Sequence, residues 1–114
     1  MPCFDTLNIE KNLPTVDQAR QMLTAYLDKA KRSGIRVCKV IHGYGSSGVG
    51  GKRRIGLRKS LAIKKANGSI KDYVPGEDWN IFNETSRKIL DACPELSRDT
   101  DLGRHNNGIT LILL

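Results

Sequence analysis

The sequence predicts a single α/β domain over residues 1–114, a two-layer sandwich of helices packed on a mixed sheet of about four strands. Three observations predict it. IRVCKVIH (35–42) is apolar, rich in β-branched residues and of strand length. The stretch after Thr15 repeats apolar residues at helical spacing. GITLILL (108–114) closes the sequence as another strand, apolar enough to be covered on both faces. Strands separated by helical patterns imply βαβ units and a helix layer against the sheet. At 114 residues the chain is of single-domain size, with enough length for one ordinary core.

The elements follow in order. FDTLNIE (4–10) alternates as a short strand. Thr15 is an N-cap candidate, and Gln18 completes a capping box. Val16, Ala19, Met22, Leu23, Tyr26, Leu27 and Ala30 give the next helix its apolar stripe, and Gly34 stops it. Lys29, Lys31 and Arg32 crowd its C-terminal end, where the helix dipole favours cations. Strand 35–42 and a glycine loop come next. KRRIGLRKSLAIKKA (52–66) then reads as a second helix, with Ile55, Leu57, Leu61 and Ala62 as its buried stripe and Gly56 weakening its first turn. SIKDYV (69–74) reads as a third strand, ended by Pro75 and Gly76. Trp79, Phe82, Ser86, Ile89 and Cys93 are spaced for a third helix over 78–93, whose Trp79, Phe82 and Ile89 would cover a sheet edge or a bare face. SRDTDLGRHNN, with Asp99, Asp101, Arg104 and His105, reads as a solvated loop.

Composition narrows the function. No run of some 18 apolar residues exists to span a membrane. The opening MPCFDTLNIE lacks the basic start and apolar stretch of a secretory signal, so a cytoplasmic location is expected. Three cysteines, widely separated, argue against a disulfide framework and a C-x-x-C metal site; Cys38 and Cys93 are expected to pack as small hydrophobes. Aromatics are too few for a base-stacking platform, so backbone recognition is expected rather than base reading. The net charge of +7 is uneven. Residues 1–75 hold 15 Lys+Arg against 5 Asp+Glu, whereas 76–114 hold 4 against 7. That asymmetry points to a polyanion on one face.

The chemistry concentrates in HGYGSSGVGGKRR (42–54). A strand, a glycine loop and a helix together present backbone N–H groups and a helix N-terminus to an anion. Gly43, Gly45 and Gly48 match G-x-G-x-x-G, but a dinucleotide site needs an acid about 20 residues on, and 52–71 has none. A Walker A loop would need Gly at Ser46 and Ser/Thr at Arg53, which removes an ATPase. What remains is Lys52, Arg53, Arg54, Arg58, Lys59, Lys64 and Lys65 with no acid among them. Like charge repeated along one helix costs stability unless a polyanion compensates it, and a nucleic-acid backbone does so. A solvated helix face is the alternative. His42, at the C-terminal end of its strand, is a candidate phosphate donor or general acid/base. Its alternative role is to cap the loop through a neighbouring carbonyl.

These residues resemble a known family. V-I-H-G-Y-G and G-L-R-K-S-L look like the H-G-x-G loop and following helix of the Smr (small MutS-related) domain, and N-G-I-T-L-I-L-L is similar to its closing strand. The resemblance spans nearly the whole chain except roughly 76–106, which is longer than the usual linker. It implies an α/β sandwich similar to the C-terminal domain of translation initiation factor three, with DNA or RNA as partner. It puts His42, Gly43 and Gly45 in the family's loop motif, with Arg58 matching the arginine of its helix. Taken with the loop and the basic run, the candidate phosphate-binding residues are His42, Gly43, Tyr44, Gly45, Lys52, Arg53, Arg54, Arg58 and Lys59. In some members it also implies endonuclease or nicking activity. Where the family has L-D-L-H-G, this chain has Leu7-Asn8-Ile9-Glu10-Lys11. Asn8 thus replaces the acid and Glu10 the histidine. The alternative reading is therefore a nuclease with an altered site, using His42 and Glu10 with magnesium or manganese, and His105 as a further candidate. A module binding a phosphorylated metabolite, lidded by the Trp79 helix, is a third.

Overall fold

The computed structural model describes residues 2–12, 14–43 and 48–114. Its elements run β1 (Phe4–Asn8), a 3-10 turn (Glu10–Asn12), α1 (Val16–Arg32), β2 (Val37–Ile41), α2 (Gly48–Ala66), β3 (Asp72–Pro75), a 3-10 turn (Gly76–Asp78), α3 (Glu84–Ala92), a 3-10 turn (Pro94–Arg98) and β4 (Ile109–Leu113). The sheet order is β1-β2-β4-β3. β1 pairs parallel with β2, Phe4 opposite Val37. β4 is inserted antiparallel between β2 and β3, with Ile41 opposite Ile109 and Asp72 opposite Leu113. Three helices thus pack on a four-stranded mixed sheet, the α/β class that the strand and helix patterns predict.

Alternation along the strands builds two cores. Cys38, Val40 and Ile112 face α1 and α2, meeting Ala19, Leu23, Leu27, Leu57 and Leu61. Val37, Leu111, Ile109 and Val74 face the other way, onto Trp79, Ile89, Cys93 and Leu96. The segment after β3 therefore covers the sheet's second face. α1 starts where its capping box requires. The Thr15 side chain accepts from the Gln18 amide at 3.2 Å, and Gln18 Oε1 accepts from the Thr15 amide at 3.0 Å.

Five expectations need correction. The second helix begins at Gly48 rather than 52, so its glycines lie inside it. One of them has a packing role: a Cβ on Gly56 would meet Val16 Cγ1 at 2.6 Å, so this glycine lets α1 and α2 approach closely. Along the same helix Leu57 and Leu61 are buried, but Ile55 is 52% exposed and Ala62 is exposed. The third helix is shorter than 78–93, because the Asn83 side chain accepts from the Ser86 amide and caps α3 there. Trp79 consequently sits in the preceding turn, fully buried, while Phe82 is 84% exposed and covers nothing.

The fourth correction is covalent. Cys3 and Cys93 form a disulfide across a sequence separation of 90, with Cα atoms 5.9 Å apart, inside the usual range. It joins the start of β1 to the C-cap of α3. Spacing could not suggest it, because only the second core brings the two residues together. Cys38 is free and buried, and desolvation pushes its thiol up to about 12.

SRDTDLGRHNN is not simply solvated either. Lys39, in the middle of β2, is buried on the second face, with its Nζ 2.7 Å from Asp99 Oδ1 and 2.6 Å from Asp101 Oδ2. Trp79 Nε1 donates to Asp99 Oδ2 at 3.0 Å, and Asn106 Nδ2 donates to Asp101 Oδ1 at 2.9 Å. Burial opposes the ammonium charge, but the bonds to Asp101 and Asp99 outweigh it and hold Lys39 above the ordinary lysine value. Strand β2 thus carries a charge that only residues some 60 positions away can satisfy.

Candidate nucleic-acid interface

The candidate residues gather where β1 and β2 end and β4 begins. His42 follows directly on β2 and is fully buried. Its Nδ1 lies 3.0 Å from the Gly43 carbonyl oxygen and its Nε2 2.9 Å from Thr110 Oγ1. A carbonyl cannot donate, so Nδ1 carries the proton and donates to it. Nε2 is then the acceptor for the Thr110 hydroxyl. Desolvation pushes the ring's pKa down to about 4, and Arg58 and Arg54 push the same way. The imidazole is therefore neutral at neutral pH, with both nitrogens bonded within the chain. Thr110 is a residue that the sequence reading missed. Its signal was a lone hydroxyl in the otherwise apolar run ITLILL.

Gly43 has φ +87°, a left-handed conformation that glycine adopts at no steric cost. The amides of His42 and Gly43 both donate to the Gly108 carbonyl at 3.0 Å. Glu10 lies alongside: a Cβ on Gly43 would meet Glu10 Cδ at 3.1 Å and Oε1 at 3.2 Å. The fold thus carries the carboxylate that follows β1 to the histidine that follows β2, as the parallel pairing of those strands requires. Tyr44 and Gly45 lie outside the described residues.

The cations of α2 divide into two kinds. Arg53 is buried, its Nε donating to the Pro14 carbonyl at 3.3 Å and its Nη1 to the His42 carbonyl at 3.2 Å. It ties the helix to the end of β2. Arg58 is the partner of Glu77, with Nη1 3.0 Å from Oε2 and Nη2 2.7 Å from Oε1, a two-pronged pair. Its Nη2 also reaches the Asn107 and Ile109 carbonyls at 3.4 Å, and its Nε is buried without a hydrogen-bond partner. Burial opposes the Glu77 charge, yet the Arg58 bonds hold its carboxyl below the usual carboxylate range. Glu77 was also missed; its only sequence signal was an acid in the Pro75-Gly76 turn.

Lys52 and Lys59 are exposed. Seven residues apart, they stand two turns from one another on the same side of α2. Exposed Ile55 lies between them in sequence, and Ile63 continues the face. Among the described residues, neither lysine forms an ion pair. Arg54 is half-buried on another side of the helix, near enough to His42 for its charge to bear on the ring. Lys65 pairs with Asp72 at 3.0 Å and so belongs to the fold. His105 is exposed, its Nδ1 3.3 Å from the Glu77 carbonyl oxygen, which puts it at the rim of the same end.

Among the described residues, the group of three whose ligand atoms lie close enough for one ion is Cys3, Cys93 and Glu95. It sits at the opposite end of β1, and its two sulfurs are bonded to each other. Among the described residues, His42 and Glu10 do not belong to such a group of three. No helix among the described residues is long and apolar enough to cross a membrane.

The family model of the Smr domain matches residues 12–114. The crystal structure of the Smr domain of Thermus thermophilus MutS2 is similar, with a TM-score of 0.56 at 19% sequence identity, covering 97% of this chain and 95% of that one. At that identity the likeness concerns the fold. A comparison with curated protein sequences finds no match.

Proposed function

The chain belongs to the Smr domain family, a family of nucleic-acid-associated domains, and from that premise we propose that it binds the phosphate backbone of DNA or RNA through the solvent face of α2. The observation that carries this reading is the pair Lys52 and Lys59. They are exposed on one side of a helix that has no acid anywhere along it. Arg54, two residues on from Lys52, lies toward His42 on another side of the helix. The remaining candidates serve the lysine face from beneath: Arg53 fixes α2 to β2, and neutral His42, bonded to Gly43 and Thr110, sets the direction in which the chain leaves the strand.

Backbone binding releases counterions, so affinity for a single strand should fall by about 0.7 log units per log unit of salt for each phosphate neutralised. Fluorescence anisotropy with single-stranded RNA and duplex DNA tests this. Lys52→Glu/Lys59→Glu should weaken binding more than about tenfold and flatten the salt slope by about two phosphates. Coincident titrations of the wild type and the double variant would refute the proposal.

One observation favours cleavage as a second reading, the Glu10 carboxylate lying against Gly43. It predicts plasmid nicking or RNA cleavage in magnesium or manganese buffer, abolished in Glu10→Gln. Intact plasmid and RNA across those metals would remove it.

A further inference from the structure

We infer that Glu77 occupies the seat on Arg58 that a nucleic-acid phosphate takes when it binds, so that the segment following β3 competes internally with the ligand. The inference rests on the backbone-binding reading above and names the residue that tunes it. A guanidinium offers parallel N–H donors, and a carboxylate or a phosphate meets them with two oxygens in the same way. Glu77 does this with both oxygens, at 2.7 and 3.0 Å. The carboxylate is also the outer member of the pair. Its side chain is 41% exposed against 20% for Arg58, so an anion arriving from solvent meets Glu77 before it meets the guanidinium.

The position of Glu77 does not depend on the ion pair. Gly76 packs so tightly against β4 that a Cβ there would run into the Asn106 carbonyl oxygen and lie 2.5 Å from Ile109 Cγ1. Trp79, buried just beyond, donates its amide to the Gly76 carbonyl at 3.2 Å and its indole N–H to Asp99. His105 adds a contact to the Glu77 carbonyl. The turn is held from both sides and delivers the carboxylate to Arg58. That guanidinium keeps one buried N–H unpartnered at Nε. The seat is thus a cation aimed at an anion, filled from within the chain by a group of the right shape and charge.

The experiment measures binding of labelled single-stranded RNA and duplex DNA to the full chain across a salt series. Glu77→Gln should tighten binding about three- to tenfold and steepen the salt slope by about one phosphate. Glu77→Asp keeps the charge but is one methylene too short to seat both oxygens, so it should tighten binding as well, which a bulk charge effect would not do. Both gains should vanish in an Arg58→Lys background, where the cation remains and the fork is lost. Thermal melts verify that each variant is folded, and Glu77→Asp serves if Glu77→Gln is not. Tightening by both variants that depends on Arg58 supports the inference. Wild-type binding with no gain in either variant, or a gain that persists in the Arg58→Lys background, overturns it alone. A wild type, Lys52→Glu/Lys59→Glu variant and Glu77 variants that all fail to bind would overturn the backbone-binding reading and this inference together.

Discussion

The two parts of this chain carry opposite charge, and the boundary lies at the end of β3. Residues 1–75 hold 15 Lys+Arg against 5 Asp+Glu, and 76–114 hold 4 against 7. The first part supplies α1, α2 and three strands, and with them most of one core, which Ile112 of β4 completes. The second wraps the opposite face of the sheet, closes the second core and contributes β4. Three of its seven acids pair with cations of the first part: Asp99 and Asp101 with Lys39, Glu77 with Arg58. A count of charges therefore misstates the surface. The later segment decides which of the earlier cations stay open to a ligand, and Lys52 and Lys59 remain so.

The sharpest way to break the contrast is to remove Lys39. Lys39→Ala leaves Asp99 and Asp101 together without their cation, and losing one partner of a buried ionic group costs about 3–5 kcal/mol. Urea denaturation should show that loss, whereas Lys59→Ala on the open face should change stability by no more than about 0.5 kcal/mol. Equal costs for the two lysines would erase the distinction between structural and available cations.

A second break uses pH. His42 has a folded pKa of about 4 against 6.5 for an ordinary histidine. Below 6.5 the unfolded chain takes up a proton that the folded chain refuses. Stability should therefore be full above pH 6.5 and decline as pH falls toward 4, by about 3 kcal/mol in all. The depressed carboxyls of Glu77, Asp101 and Asp72 add losses only at and below their own unfolded range, lower on the scale. Melting temperatures across pH 4–7 should fall in the wild type and stay nearly level through the upper part of that range in His42→Asn.

Gly76→Ala probes how the second part is held to the first. With backbone of Asn106 and Ile109 in the way, overpacking should cost about 1–3 kcal/mol. Thermal melting measures it. The smallest effect belongs to Phe82, whose exposed ring packs on nothing in the described structure. Phe82→Ser should shift stability by no more than about 0.5 kcal/mol. A larger loss would show that the Phe82 ring itself packs on the fold.

What the sequence disclosed follows the range of the interactions. The capping box of α1 is a contact between Thr15 and Gln18, three residues apart, and it was legible. β2 and β4 were legible because burial on both faces makes whole runs apolar. The start of α2 was hidden by Gly48, Gly50 and Gly51, which read as loop rather than helix. α3 was drawn too long because the 3,4 spacing from Trp79 outweighed the Asn83 cap. The site divided in the same way. His42, Gly43 and Arg58 stand in a recognisable order, and Glu10 could be placed through the parallel strands. The partners that set their state, Thr110 for His42 and Glu77 for Arg58, come from elements 68 and 19 residues away. No local pattern announces a partner at that distance, and the Lys39 network and the Cys3–Cys93 bond are invisible for the same reason.

That bond has a consequence for how the molecule comes apart. With Cys3 joined to Cys93, residues 3–93 form a closed ring, and the segment from 94 onward, which carries β4, lies outside it. A protease that nicks any surface turn within the ring opens it without releasing a piece, so a single cut leaves one particle whose mass has grown by one water. Electrophoresis without thiol would show an intact band, and adding thiol would resolve two fragments. The same cut beyond Cys93 would shed β4 from the centre of the sheet, and with it Thr110, the hydroxyl that donates to His42.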